Sequence, residues 1–156
     1  MVPLAIAAIS TGFNGVAIAE IVPDATLPQP SVAIDGEGGI EIGGGTTSGA
    51  NLFHSFARFS LEGGRRATFV VPPEVDRVLA RVTGDEIARI DGTLAALADL
   101  IFLAPNGIHF GDRARLEVSG SFLVTTASAI EFDDGRRWLA QASPASEAPL
   151  LSIAVP

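Results

Sequence analysis

The side chains that could perform chemistry in this chain are few and scattered. His54 and His109 are the only histidines, and they lie far apart in the sequence. Neither stands beside a cluster of acidic residues, so a metal site is not expected. No Gly-x-Ser-x-Gly segment marks a nucleophilic serine, and the absence of cysteine excludes thiol nucleophiles, disulfides and zinc-thiolate sites.

Carboxylates are the remaining catalytic option. Asp85-Glu86, Asp91 and Asp133-Asp134 could supply the acid and the base that cleave a glycosidic bond. Asp133 and Asp134 precede Gly135, however, and a D-D-G segment more simply shapes a turn. No catalytic residue, cofactor or metal is therefore predicted.

The glycine-rich segment from Gly43 to Gly49 is not a phosphate-binding loop. The Walker pattern requires a lysine after its last glycine, whereas every cation of this chain is an arginine. We interpret the segment as a flexible surface loop.

Composition indicates an ordered and acidic domain. The 156 residues suffice for one domain, and the 47% hydrophobic content with a mean hydropathy of +0.40 favours a packed core over disorder. The formal net charge is −8, with 18 acidic against 10 basic residues. Because contacts to phosphate need clustered cations, the domain is a poor candidate for binding nucleic acid or an anionic membrane, and no nucleic-acid partner is predicted.

The stretch over residues 100–132 determines the architecture. It holds five short apolar runs, too short for helices and suited to strands, over residues 100–103, 108–110, 116–118, 122–124 and 129–132. Asn106-Gly107 after Pro105 predicts a tight turn with positive φ at both residues. The short intervals between successive runs leave no room for helical crossovers. The spacing predicts an all-β fold, with a parallel β-helix as the arrangement that suits it.

The rest of the chain adds further elements. Strands are predicted over residues 32–34, 40–42, 52–59, 67–71 and 150–155, and a strand, turn and strand over 90–94. Val75, Val78, Leu79 and Val82 follow an i, i+3, i+4, i+7 pattern that allows a short helix.

Residues 1–19 are apolar and end in Ala17-Ile18-Ala19, which matches the cleavage pattern of a secretory signal peptide. A basic segment is missing, since the first cation is Arg58. We therefore expect a truncated signal peptide over 1–19; the alternative is a buried first strand or helix.

Several ordered motifs carry a resemblance to a known family. They are GANLFHSF at 49–56, RVTG at 81–84, IDGTL at 90–94, IFLAPNGIHFG at 101–111, ARL at 114–116, GSF at 120–122 and PLL at 149–151. In these motifs the chain resembles the N-terminal secretion domain of two-partner-secretion exoproteins, the filamentous-haemagglutinin family, and most closely its cyanobacterial branch. The resemblance covers roughly residues 20–156.

The resemblance implies a right-handed parallel β-helix (solenoid) with short extra-helical strands and an N-terminal capping region. It implies that residues 20–156 are the secretion and folding-nucleation domain of a longer exoprotein or adhesin. The partner would be an outer-membrane β-barrel transporter whose periplasmic domains add strands to the unfolded chain. The protein would be secreted or held on the outer cell surface after passing through the periplasm, without inserting into a membrane.

The resemblance also assigns a secretion motif to two segments. Its residues are Asn51, Leu52, Phe53, Pro105, Asn106, Gly107 and Ile108. The family signature reads Asn-Pro-Asn-Gly, and here Ala104 replaces the first asparagine.

Two other function classes remain open at this point. A polysaccharide-acting β-helix enzyme would use the carboxylates named above. A carbohydrate-binding adhesion module would contact surface glycans with its exposed edge or its aromatic residues.

Overall fold

The computed structural model describes residues 20–141, which form fifteen strands and no helix. Accordingly, no helix in this range is long and apolar enough to cross a membrane. The strands are β1 (Glu20–Pro23), β2 (Ser31–Gly36), β3 (Gly39–Gly44), β4 (Thr46–Ser48), β5 (Asn51–Leu61), β6 (Arg66–Phe69), β7 (Arg77–Val82), β8 (Ala88–Ile90), β9 (Thr93–Ala96), β10 (Asp99–Leu103), β11 (Ile108–Phe110), β12 (Arg115–Val118), β13 (Phe122–Thr125), β14 (Ala129–Glu131) and β15 (Arg137–Leu139).

Parallel strands stack into a three-faced solenoid of about three coils. On the first face β5, β7, β10 and β13 lie side by side, with Leu52, Val78, Leu100 and Phe122 in register. The C-terminal part of β5 turns onto the second face, where it is followed by β8 and β11, and β6, β9 and β12 form the third. The predicted parallel β-helix is confirmed.

The core lies inside the coils because every second side chain of each strand points inward. Leu52, Phe56, Val78, Leu100 and Phe102 are fully or almost fully buried there. Phe56, Phe59 and Phe102 form successive edge-to-face pairs with ring centroids 5.2 and 5.0 Å apart, an arrangement that aromatic rings prefer.

Four N-terminal strands cap the first coil. β1 and β4 pair antiparallel with β5, while β2 and β3 form an antiparallel hairpin whose β3 is parallel to β6. The strands predicted at 32–34 and 40–42 are confirmed as parts of β2 and β3. The surface loop predicted from Gly43 to Gly49 is wrong: β3 continues to Gly44, β4 follows, and positive φ at Gly44, Gly45 and Gly49 makes the bends between them.

The helix considered for residues 75–82 is also wrong, since residues 77–82 form β7. The reason is burial on both faces. Val78, Ala80 and Val82 face the core, while Leu79 belongs to a second apolar cluster outside the coil. A strand covered on both faces loses the polar alternation that identifies a strand, and its apolar positions then imitate a helical spacing.

A β-hairpin outside the solenoid covers the outer surface of the first face. We call β14 and β15, with the turn between them, the outer hairpin; its turn at Asp133-Asp134-Gly135 is the predicted one, closed by a 2.8 Å hydrogen bond from the Gly135 amide to the Phe132 carbonyl. The apolar cluster beneath it comprises Leu27, Phe53, Leu79, Leu103, Phe132, Trp138 and Ala140. The predicted extra-helical strands are thus present. The predicted signal peptide (1–19) and last strand (150–155) lie outside the described residues.

Candidate functional site

Asn51, Leu52 and Phe53 open β5 and are all buried. Leu52 faces the core, and Phe53 points outward beneath the outer hairpin, where its ring packs edge-to-face with Trp138 at 5.0 Å and Phe132 at 6.2 Å. Asn51 pairs with Ser48 on one side and Arg77 on the other. In the folded domain these three side chains therefore support packing and are closed to a partner.

The second segment of the predicted motif forms the corner after β10. The Gly107 amide donates to the Ala104 carbonyl at 3.0 Å, which closes a tight turn through Pro105 and Asn106. Only Gly107 has positive φ, at 112°, so the expectation of positive φ at Asn106 is wrong. Pro105 supplies a fixed φ at the second turn position, after which Asn106 needs no left-handed backbone.

Asn106 instead connects two coils. Its Nδ2 donates to the Gly84 carbonyl at 2.7 Å, one coil earlier. Ala104, which replaces the asparagine of the family signature, is 1% exposed and belongs to the apolar core. The corner therefore retains one asparagine, on its exposed side, while its inner position has become apolar.

Two aspartates make equivalent bonds at the other corners. Asp91 Oδ1 accepts from the Arg113 amide and Asp99 Oδ1 from the Ser121 amide, both at 2.8 Å. Like the Asn106 bond, each of these spans 22 residues, the length of a regular coil. We call Asn106, Asp91 and Asp99 the corner brackets, because each ties a corner of one coil to the next.

The two motif segments do not form one site. Asn51 to Phe53 lie at the start of the first face in the first coil, whereas Pro105 to Ile108 follow its end two strands away. At about 4.8 Å between strands and about 3.3 Å per residue, the segments are roughly 20 Å apart. A single pocket cannot hold both.

The carboxylates considered for catalysis do not converge either. Asp91 is a corner bracket, Asp134 accepts from the Arg136 amide at 2.9 Å within its own turn, and Glu86 lies 3.0 Å from Arg58 in a surface ion pair. Among residues 20–141, no group of three histidine, cysteine, aspartate or glutamate side chains is placed to hold a metal ion.

The two histidines have opposite environments. His109 is exposed and lines a surface groove of about 380 Å³ with Arg89 and Arg113. His54 is 0% exposed, and burial lowers its pKa from 6.5 to about 4. Its Nδ1 lies 2.9 Å from Ser31 Oγ, and its Nε2 has no hydrogen-bond partner in the described part of the chain.

Sequence reasoning missed a carboxylate outside the coil. Burial alone would raise the pKa of Asp24, but hydrogen bonds from Thr83, Ser55 and Thr26 outweigh it and lower that pKa. Asp24 Oδ2 accepts from the Ser55 hydroxyl at 2.7 Å and from the Thr83 hydroxyl at 2.5 Å. The only signal in the sequence is the motif at 81–84, which includes Thr83.

Comparison with known proteins adds one finding. A family model described as TPS secretion domain matches residues 19–156. No curated protein and no solved structure matches the chain.

Proposed function

This chain belongs to the TPS secretion domain family, and from that premise we propose that it is the secretion and folding-nucleation domain of a longer exoprotein. Domains of this family act in two-partner secretion together with an outer-membrane transporter, and the family is not one of enzymes. The finer proposal is that periplasmic domains of a barrel transporter bind this chain while it is unfolded. The chain then folds outside the cell, as the leading part of a secreted or surface-held adhesin.

The observation that supports the nucleation role is the apolar last coil of the solenoid within the described residues 20–141. The inward-facing side chains of β11 and β12 remain partly exposed, with Phe110 at 39% and Leu116 at 44%. Phe122 and Val124 of β13 also pack against the core without being fully buried. Because each coil of a solenoid contacts only its neighbours, this apolar end offers the surface on which a further coil stacks.

The burial of Asn51, Leu52 and Phe53 supports recognition before folding. A partner can reach these side chains only in the unfolded chain, since in the fold Leu52 and Phe53 are 1% and 0% exposed. Asn106 remains exposed after folding and can contribute in either state.

The test separates recognition from stability with matched corner brackets. Asn106→Ala and Asp99→Ala each remove one side-chain bond between successive coils. Each should lower the free energy of unfolding by about 0.5–3 kcal/mol, with the charged Asp99 bond toward the upper end. The amount of domain released by cells that carry a partner transporter is measured beside the urea midpoint of the refolded domain.

We expect Asn106→Ala to reduce secretion out of proportion to its loss of stability, and Asp99→Ala to leave secretion near the unmutated level. Equal secretion of both variants, or losses that simply follow the two midpoints, would show that Asn106 acts only as a bracket. Release of the unmutated domain at the same level without a transporter would overturn the proposal itself.

A further inference from the structure

Arg81 is a fully buried arginine whose side chain lies outside the solenoid coil, beneath the outer hairpin. It lies in β7 between Ser55 of β5 and Leu103 of β10, on the face opposite to the core. Apolar residues of the outer hairpin, Phe132 and Trp138, pack in the cluster that covers this face. A guanidinium at such a place is unfavourable unless its donors are satisfied.

Three segments distant in sequence supply its acceptors. Nε donates to Ser55 Oγ at 2.8 Å, Nη2 to Thr26 Oγ1 at 2.9 Å and Nη1 to the Leu139 carbonyl at 2.9 Å. The guanidinium carbon also lies 5.0 Å from the centroid of the Trp138 ring, within the range of a cation–π contact. One side chain thus joins the N-terminal segment, the solenoid and the outer hairpin.

Two hydroxyl groups link Arg81 to the carboxylate of Asp24. The hydroxyls of Ser55 and Thr26 each accept from Arg81 and each lie 2.7 Å from an oxygen of the Asp24 carboxylate. The Thr26 amide also donates to Asp24 at 3.0 Å within the segment. The Asp24 amide donates to the Ser55 carbonyl at 3.3 Å, which fixes the segment against β5. Residues 24–26 therefore bring an acceptor to Arg81 and place a carboxylate one hydroxyl group away from it.

As a consequence, the docking of residues 24–26 and the docking of the outer hairpin are coupled. Without residues 24–26 in place, the outer hairpin would enclose a guanidinium that has lost the Thr26 hydroxyl as an acceptor and, with it, one link to the Asp24 carboxylate. Without the hairpin, Arg81 would remain in water and gain little from Thr26, because water would satisfy the same donors.

We propose that Arg81 makes the N-terminal segment 24–27 and the outer hairpin close over the first face as one cooperative unit. Thr26 and Leu139 lie near opposite ends of the described chain, and both accept hydrogen bonds from the same guanidinium. This inference concerns folding within the chain and goes beyond the proposed function, because it holds whether or not a transporter recognises the domain.

The chain contains its own reporter for this coupling. Trp138 is the only tryptophan of the chain, and its side chain is 0% exposed. Its fluorescence and the quenching of that fluorescence by acrylamide therefore report the docking of the outer hairpin. Hydrogen exchange of the β15 amides measures the same event, while the β10 amides report global unfolding.

The first variant is Thr26→Val in the full chain, which removes the hydroxyl and keeps the shape. We expect exchange of the β15 amides to accelerate about ten- to hundredfold, the effect of losing a hydrogen bond to a charged group, with a much smaller change in β10. Thr68→Val, on the third face away from Arg81, is the matched control and should change neither. Equal acceleration in β10 and β15, or no change in β15, would overturn the coupling.

Two further variants test whether the coupling depends on Arg81. Replacement of Arg81 by methionine removes the charge, so Thr26→Val should then no longer affect the exchange of β15; persistence of the full effect would refute a role for Arg81. The reciprocal variant, Trp138→Leu, leaves Arg81 in place and must accelerate exchange of the Thr26 amide by a comparable factor. If Arg81→Met fails to fold, the reciprocal variant decides: an unchanged Thr26 amide contradicts the proposal, and an accelerated one with β10 unchanged supports it.

Discussion

Acidification should destabilise this domain through the buried side chain of His54. His54 lies inside the first coil, with the rings of Phe69 and Phe56 at 5.3 and 6.0 Å and only Ser31 as a polar partner in the described chain. Protonation would place an imidazolium in this apolar interior, and burial lowers the pKa from 6.5 to about 4 for that reason.

The sign follows from proton binding in the two states. Between pH 6.5 and about 4 the unfolded chain binds a proton at His54 that the folded chain does not, so stability falls as the pH falls. Because one pKa unit corresponds to about 1.4 kcal/mol, the complete loss below pH 4 is about 3 kcal/mol. Integration between pH 7 and pH 5 gives a loss of about 2 kcal/mol.

Urea unfolding followed by circular dichroism at pH 7, 6 and 5 measures this loss. His54→Leu removes the titrating group, and Ser31 Oγ keeps its hydrogen bond from the Ser55 amide at 3.0 Å. We expect the variant to lose less than about 0.5 kcal/mol over the same range, since the group that binds a proton only in the unfolded chain has been removed. His109→Gln is the matched control, because His109 is exposed and its replacement should retain the full slope.

Two results would refute the reasoning. One is an unmutated domain whose free energy of unfolding is the same at pH 7 and pH 5. The other is a slope that survives in His54→Leu, which would place the titrating group elsewhere. Asp24 does not account for a loss of stability between pH 7 and pH 5. Because its pKa is lowered, the carboxylate becomes protonated only in more acidic solutions, and only there is the stability that it provides lost.

Three further substitutions test the packing of the coils. Gly84→Ala should cost about 1–3 kcal/mol or more, because the added carbon would lie 2.1 Å from the Ala57 carbonyl oxygen. Its control is Gly38→Ala, which should be neutral because the added carbon meets no atom within 4 Å. Equal urea midpoints for the two variants would contradict the close packing at Gly84. Gly107→Val should cost about 1–3 kcal/mol through its φ of 112° alone, since the nearest atom to an added carbon is at 3.4 Å, and an unchanged urea midpoint would contradict this strain. Phe53→Ala should lose about 3–5 kcal/mol and shift the fluorescence of Trp138 to longer wavelength, and an unchanged emission spectrum would show that the two rings do not support each other.

The sequence predicted strands where one face of the strand is buried. Ile40, Glu41 and Ile42 alternate inward and outward in β3, as their types indicate. Short spacing between the runs excluded helical crossovers, which left few all-β arrangements. The length of a coil and the order of stacking are not visible in single runs, because they depend on register between strands that no local signal fixes.

Two of the wrong expectations, for β7 and for the glycine-rich segment, have different physical causes. In β7 both faces are buried, so Leu79 breaks the alternation that would have identified a strand. In the glycine-rich segment, close approach explains the composition: a side chain at Gly45 would lie 2.7 Å from the Phe53 carbonyl, so the glycines serve tight pairing of β4 with β5. Glycine content alone does not distinguish this from a loop.

The network around Arg81 could not be predicted from any window of the sequence. Asp24, Thr26 and Leu139 are brought to it by the antiparallel pairing of β1 and by the fold of the outer hairpin. A charged residue between apolar neighbours in β7 is the one local anomaly. Its meaning depends on partners that are distant in the sequence in both directions.

The proposed recognition through the first motif segment would have a thermodynamic consequence. Both edges of β5 at Asn51 to Phe53 are occupied in the fold, by β4 on one side and β7 on the other, so no further strand can be added there. A transporter domain that adds a strand at this segment must therefore bind the unfolded chain only. By linkage, such a ligand at about a hundred times its Kd lowers the apparent stability by about 2.7 kcal/mol. That is comparable with the loss expected from His54 at acidic pH, so the two effects would add in favour of the unfolded state. A transporter domain that binds the folded protein and raises its unfolding midpoint, or one that leaves the midpoint unchanged, would contradict recognition through Asn51, Leu52 and Phe53.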